Sequence, residues 1–188
     1  MKYCFFCFKN LVIVVALLLL IGTSTAQQFY FDQYSVKEGL AQSKVYDLIQ
    51  DHTGYIWIGT NSGVSRFDGM IFENFSSDDG LSENGVRVIY EDKNNNIWFG
   101  HTGGGISRFD GKIFENLNND SILIEGDITA ILEDQFSQIW IGSHGSGAFL
   151  IKNPESDIQN LQIKNYKGQQ KLSDRVFSII RTKTPVHN

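Results

Sequence analysis

Apolar and polar residues follow one another along this chain in short bursts, each closed by a polar turn. Val45 to Gln50 is a largely apolar run ending at Asp51, His52-Thr53-Gly54 turns the chain, and Tyr55 to Gly59 follows. After the polar loop Thr60-Asn61-Ser62 come Val64 to Phe67, the pair Asp68-Gly69, and Ile71 to Phe75. Runs this short predict strands. An Asp-Gly pair between strand formers predicts a tight hairpin, because such turns need backbone angles that glycine tolerates. Four strands in so few residues leave no room for long helices.

The pattern then repeats. Residues 63–74 read G-V-S-R-F-D-G-M-I-F-E-N and residues 105–116 read G-I-S-R-F-D-G-K-I-F-E-N, identical at ten of twelve positions and 42 residues apart. Trp57-Ile58-Gly59, Trp98-Phe99-Gly100 and Trp140-Ile141-Gly142 mark three copies, and Asp110-Gly111 repeats Asp68-Gly69. A period of about 40–45 residues built from short strands predicts a β-propeller with one four-stranded blade per repeat. The expected fold is all-β, a partial β-propeller of about three four-stranded blades. The third blade runs from Ile128 and ends in a strand over Leu161 to Tyr166, after an irregular stretch containing Pro154. An orphan N-terminal outer strand is expected where Phe31 and Tyr34 align with Phe72 and Phe75. One C-terminal inner strand is expected over Val176 to Ile180. The residue third after the Asp of each first turn is Gly54, Asn95 or Ser137, which predicts a left-handed backbone there. One orphan strand, three blades and a further strand fall short of the usual minimum of about four blades. The chain therefore reads as a fragment of a longer open reading frame.

Residues 1–26 read as a secretory signal peptide: Lys2 and Lys9, an apolar run from Leu11 to Ile21, then Ser24-Thr25-Ala26. Cys4 and Cys7 precede that run, so the remaining 162 residues hold no cysteine. Blades occupy 27–181 and an irregular tail 182–188. Beyond residue 26 the chain carries 14 basic and 21 acidic residues, a formal −7. That sign disfavours nucleic acid and anionic membranes, which draw on clustered Lys and Arg. A membrane is met only if the leader stays uncleaved, and the expected location is the periplasm.

Recurrence makes most of the eye-catching residues structural. Trp57, Trp98 and Trp140, with Gly59, Gly100 and Gly142, are expected as inter-blade core rather than as sugar platforms. Arg66 and Arg108 are expected to pair with a neighbouring Asp rather than with an anionic ligand. Gly103-Gly104-Gly105 and the stretch 142–147 lack the following helix and Lys of a phosphate loop. No metal-ligand spacing or nucleophile motif occurs, so no metal, cofactor or catalytic residue is expected. The loops that vary between copies should share one central face: Thr60, Asn61 and Ser62, then His101 and Thr102, then Ser143 and His144, beside Gln42-Ser43 and Glu83-Asn84. Variable loops on a repeat scaffold often bind ligands. This face is polar enough for an oligosaccharide.

Gly39-Leu40, Val45 with Asp51, Ile56-Trp57-Ile58-Gly59-Thr60 and Ser65 to Gly69, repeated from Gly80-Leu81 to Gly111, resemble the two-component regulator propeller repeat. The resemblance spans residues 29–180. It implies a seven-bladed periplasmic sensor region of a hybrid histidine kinase, commonly one that responds to glycan fragments, and a role without catalysis. No kinase or receiver sequence is present, so signal output is not encoded in these 188 residues. The missing blades, or a partner chain, would close the ring. Two rivals are a propeller lyase or hydrolase of the streptogramin-lyase-like type, which would rely on His101 or His144, and a plain interaction scaffold.

Overall fold

A computed structural model of the chain describes residues 30–117, 124–168 and 175–180. The expected leader and the tail 182–188 lie outside the described residues. Two compact units are distinguished, 1–33 and 34–188. In the first, residues 30–33 carry no regular secondary structure.

The second unit contains three four-stranded antiparallel sheets in chain order. Blade 1 comprises β1 (Val45–Gln50), β2 (Ile56–Thr60), β3 (Gly63–Phe67) and β4 (Phe72–Phe75). Blade 2 comprises β5 (Val86–Glu91), β6 (Ile97–His101), β7 (Ile106–Phe109) and β8 (Phe114–Asn116). Blade 3 comprises β9 (Asp127–Glu133), β10 (Ile139–His144), β11 (Gly147–Ile151) and β12 (Ile163–Asn165). Each sheet is a simple meander, as expected where consecutive strands are joined by turns.

Side-chain chemistry fixes the turns. Asp68 Oδ1 accepts from the N–H groups of Met70 and Ile71 at 2.8 Å, and Asp110 does the same for Lys112 and Ile113 at 2.8 and 2.9 Å. In the turns after Asp51, Asp92 and Asp134, the φ angles of Gly54, Asn95 and Ser137 are 97°, 66° and 60°. All three are left-handed, the region that Gly and Asn enter at least cost.

Each blade buries one face on the next. One core joins Trp57 and Val64 of blade 1 to Val86, Ile89 and Phe99 of blade 2. The other joins Trp98, Ile106 and Leu117 to Ile128, Ile131 and Ile141 of blade 3. The glycine after each Trp is where the blades close. A Cβ on Gly59 would meet Val86, with Ile89 beyond it, and one on Gly100 would meet Ile128, with Ile131 beyond it. Val45 and Leu48, the blade 1 counterparts of these aliphatic residues, are 41% and 60% exposed.

The structure departs from the sequence reading in four places. First, the described residues 30–34, where the N-terminal outer strand is expected, form no strand. Tyr34 still packs as an outer-strand aromatic, its ring 4.9 Å from Phe67 and 5.8 Å from Phe72. Second, Arg175–Ile180 is not a strand. Val176 N–H donates to Ser143 O at 3.1 Å, and the Thr129 hydroxyl donates to Val176 O. Val176 and Ile179 approach Gly142 as Ile128 and Ile131 approach Gly100. The segment takes an inner strand's place without a described second strand to complete a sheet. Third, Arg66 and Arg108 pair with Glu73 and Glu115 rather than with Asp. The register sets these pairs directly opposite across β3–β4 and β7–β8, where opposite charges attract. Fourth, single helical turns at Val36–Glu38 and Ser77–Asp79 precede blades 1 and 2, each opened by a capping box from Ser35 or Ser76.

Candidate functional site: the polar central face

The face opposite the Asp-capped first turns is built from the β2–β3, β6–β7 and β10–β11 turns and the segments that enter β1, β5 and β9. Hydrogen bonds bring these loops together. Thr102 N–H donates to Gly85 O at 2.8 Å, fastening the β6–β7 turn to the entry of its own blade. Asn61 Oδ1 lies 3.4 Å from the Tyr46 hydroxyl and 3.6 Å from where a Cβ on Gly85 would sit, so blade 1 meets blade 2 here. Asp127 joins blade 3 to blade 2, accepting from Gly103 N–H at 2.9 Å and from Arg87 Nη1 at 2.8 Å.

The expected site residues divide into two groups. Asn61, Ser62, Glu83 and Asn84 are exposed, and Thr102 and His144 are half-buried. Asn84 Oδ1 already accepts from Ser77 N–H at 2.8 Å, which leaves its amide NH2 to other partners. The remaining three are withdrawn from any ligand, which corrects the sequence reading. Thr60, His101 and Ser143 are all 0% exposed. The Thr60 hydroxyl donates to Gly63 O at 2.9 Å, the Ser143 hydroxyl donates to Glu125 O at 2.5 Å, and His101 Nε2 lies 2.8 Å from Ser107 Oγ. They sit at or next to the end of the second strand of each blade, and each has at least one partner within the protein, though His101 Nδ1 has none.

Besides His101 Nδ1, two buried atoms on this face have no hydrogen-bond partner: Gln42 Oε1 and the Thr102 hydroxyl. Buried polar atoms without partners are uncommon and mark places where a ligand or water completes the structure. Spacing gave no sign of either. Among the described residues, no group of three or more His, Cys, Asp and Glu is placed to hold a metal ion. His52 lies across the blades on the other face, its Nδ1 2.6 Å from Glu91.

The repeated Trp residues serve the scaffold through their neighbours. Trp57, Trp98 and Trp140 Nε1 donate to Asp51, Asp92 and Asp134 at 2.7, 2.8 and 3.0 Å. Each Asp also accepts from two backbone N–H groups of its own turn. Burial would raise the Asp51 carboxyl pKa. The Thr53 hydroxyl, the Trp57 indole and the turn N–H groups outweigh that and hold it below the usual carboxylate value.

Burial pushes His101 down to about 4, with the backbone carbonyls of Gly85 and Glu83 opposing the shift in part. The ring is therefore neutral at pH 7. Its folded pKa lies below the unfolded value, so the unfolded chain binds the proton first as pH falls from about 6.5. Stability is full above that pH and drops by about 3 kcal/mol by pH 4. Urea titrations at steps across this window should show the loss, and His101→Gln should flatten it. The Asp51 contribution falls away only at lower pH, so the two are separable. A stability constant between pH 7 and 4.5 in the unsubstituted chain would refute the assignment.

The sequence profile of the two component regulator propeller family matches residues 39–62 and 80–103, the Gly-Leu to Trp-Gly portions of blades 1 and 2. Blades 1 and 2 carry two-component regulator propeller repeats. A curated relative, "Histidine kinase P4" of Formosa agariphila, is 44% identical over 41 residues, which is 22% of this chain and 3% of that protein. Two solved structures share the fold, both extracellular domains from B. thetaiotaomicron assigned to hybrid two component systems. That of BT3049 superposes with a TM-score of 0.63 at 21% identity, over 76% of this chain and 19% of that one. That of BT4673 gives 0.63 at 20% identity, over 84% and 21%. The chain thus spans about a fifth of these solved extracellular domains, and its three four-stranded sheets are those of a partial propeller. No described helix is long and apolar enough to cross a membrane.

Proposed function

We propose that this chain is the ligand-reading part of an exported sensor propeller. It would act in the periplasm, bind a neutral glycan-derived ligand on the central face, catalyse nothing itself and leave signal output to a kinase elsewhere. One observation carries the reading. The exposed polar loop residues that vary between blades lie on the central face, while the repeated Trp-x-Gly steps pack within the scaffold. Amide, hydroxyl and carboxylate groups at Asn61, Ser62, Glu83, Asn84 and Thr102 suit a partner rich in hydroxyls. The similarity to extracellular domains of two-component proteins supports export and sensing. Closure of the Val45 and Leu48 face by a further blade, or by a partner chain, belongs to the same proposal. The hydrolase reading is weakened at His101, which is buried and whose lowered pKa makes it a poor proton acceptor.

Calorimetric titration with neutral oligosaccharide pools tests the proposal. A saturable heat should appear with at least one pool. The double substitution Asn61→Ala, Asn84→Ala should weaken it about tenfold, the loss of one or two hydrogen bonds of about 1 kcal/mol each. Absence of heat across all pools would remove the glycan assignment.

A further inference from the structure

The two junctions between blades differ at the outer rim. At the second junction Arg108 is 6% exposed and fully engaged. Its Nε and Nη2 donate to Glu115 Oε2 at 3.0 and 2.6 Å, and its Nη1 donates to the backbone carbonyls of Pro154 at 2.5 Å and Ser156 at 2.9 Å. Those carbonyls belong to the long connection 152–162 between β11 and β12, which folds back to Arg108. At the first junction the equivalent connection is Asp110–Ile113, a hairpin turn too short to reach back.

Arg66, the counterpart of Arg108, is left with Glu73 as its one hydrogen-bond partner among the described residues, and its Nε is buried and unpaired. A groove of about 580 Å³ opens beside it, lined by Arg66, Glu73, Phe75, Asp79, Lys112 and Phe114 among others. The guanidinium is held over the Tyr55 ring at 4.7 Å, with Trp57 and Phe75 each at 5.5 Å. It is therefore a fixed donor with unused N–H groups.

We propose that this groove docks a turn of a partner polypeptide, whose backbone carbonyls take the Arg66 N–H groups as Pro154 and Ser156 take those of Arg108. The occupant's chemistry follows from the groove and from its filled twin. Glu73 and Asp79 balance Arg66 and Lys112, so the lining carries no net charge and favours neutral carbonyl oxygens over an anion. Phe75 and Phe114 offer an apolar wall. In the filled twin Pro154 is buried, and Ile158 and Leu161 pack against the core. The partner segment therefore combines two accessible carbonyls with a proline or aliphatic anchor.

The probe is the blocked peptide of residues 153–161, Asn-Pro-Glu-Ser-Asp-Ile-Gln-Asn-Leu, titrated into the isotope-labelled full chain. The Arg66 Nε–H resonance is assigned by its loss in Arg66→Lys. A saturable shift of that resonance is expected at millimolar peptide. Arg66→Lys should weaken binding about fivefold or more, since Lys lacks the planar donor fork. Lys112→Trp, at the exposed mouth of the groove, should block the peptide with Arg66 intact. An unmoved Arg66 resonance at about 5 mM peptide, a range set by weak short-peptide affinity, would overturn the proposal. So would equal affinity in both variants, or shifts confined to the central-face loops.

Discussion

Asp92→Ala should cost about 3–5 kcal/mol, the largest stability loss expected from a single polar substitution in this chain. Asp92 is 5% exposed and holds three elements at once. It accepts from Asn94 and Asn96 N–H at 2.9 Å each, from the Asn96 side-chain amide, and from Trp98 Nε1 at 2.8 Å. Truncation leaves the indole N–H of a fully buried Trp unpaired and frees a turn containing the left-handed Asn95. Denaturant unfolding gives the value directly. Trp98→Phe removes the orphaned donor, so the double variant should lose clearly less than the sum of the single variants. A loss under about 1 kcal/mol for Asp92→Ala, the worth of one ordinary hydrogen bond, would contradict the bracing role.

Gly100→Ala should cost about 2–3 kcal/mol by overpacking the junction between blades 2 and 3. Its new Cβ would sit 2.4 Å from Ile128 Cγ2 and 2.7 Å from Ile128 Cβ. A β-branched side chain fixed on a buried strand cannot swing aside. Ile128→Ala removes the nearer obstructing atom, Cγ2, and lets the remaining Cβ shift into the space left, so the pair should show favourable coupling in a double-mutant cycle. Additive losses would mean that the blades are not in contact at this glycine.

Period and hairpins were legible in the sequence because each rests on local chemistry. Asp68-Gly69 and Asp110-Gly111 carry their turns in their own side chains, and the Trp-x-Gly steps mark where blades close. What was not legible depended on neighbours. Thr60, His101 and Ser143 look like loop residues because they are polar, yet each lies within a strand, fully buried and hydrogen-bonded to the protein. Their shared repeat position, always filled by a hydrogen-bonding side chain, was the available signal. The Arg partners were misassigned because Asp68 and Asp110 are near in sequence, while strand register sets Glu73 and Glu115 opposite. Tyr34 and Val176 kept the packing of their repeat positions without becoming strands, since pairing needs a neighbouring strand and a sequence pattern records only the packing. The capping boxes at Ser35 and Ser76 were written plainly as Ser-x-x-Glu and Ser-x-x-Asp.

Amide-resolved titration of the full chain with the oligosaccharide pool that gives the strongest calorimetric heat is the most direct measurement of whether the variable loops form one binding face. Saturable shifts should cluster at residues 61–62, 83–85 and 102–103, with the Trp57 and Trp98 indole signals unmoved. Shifts centred on the indoles or on the outer rim, with the loops silent, would contradict it.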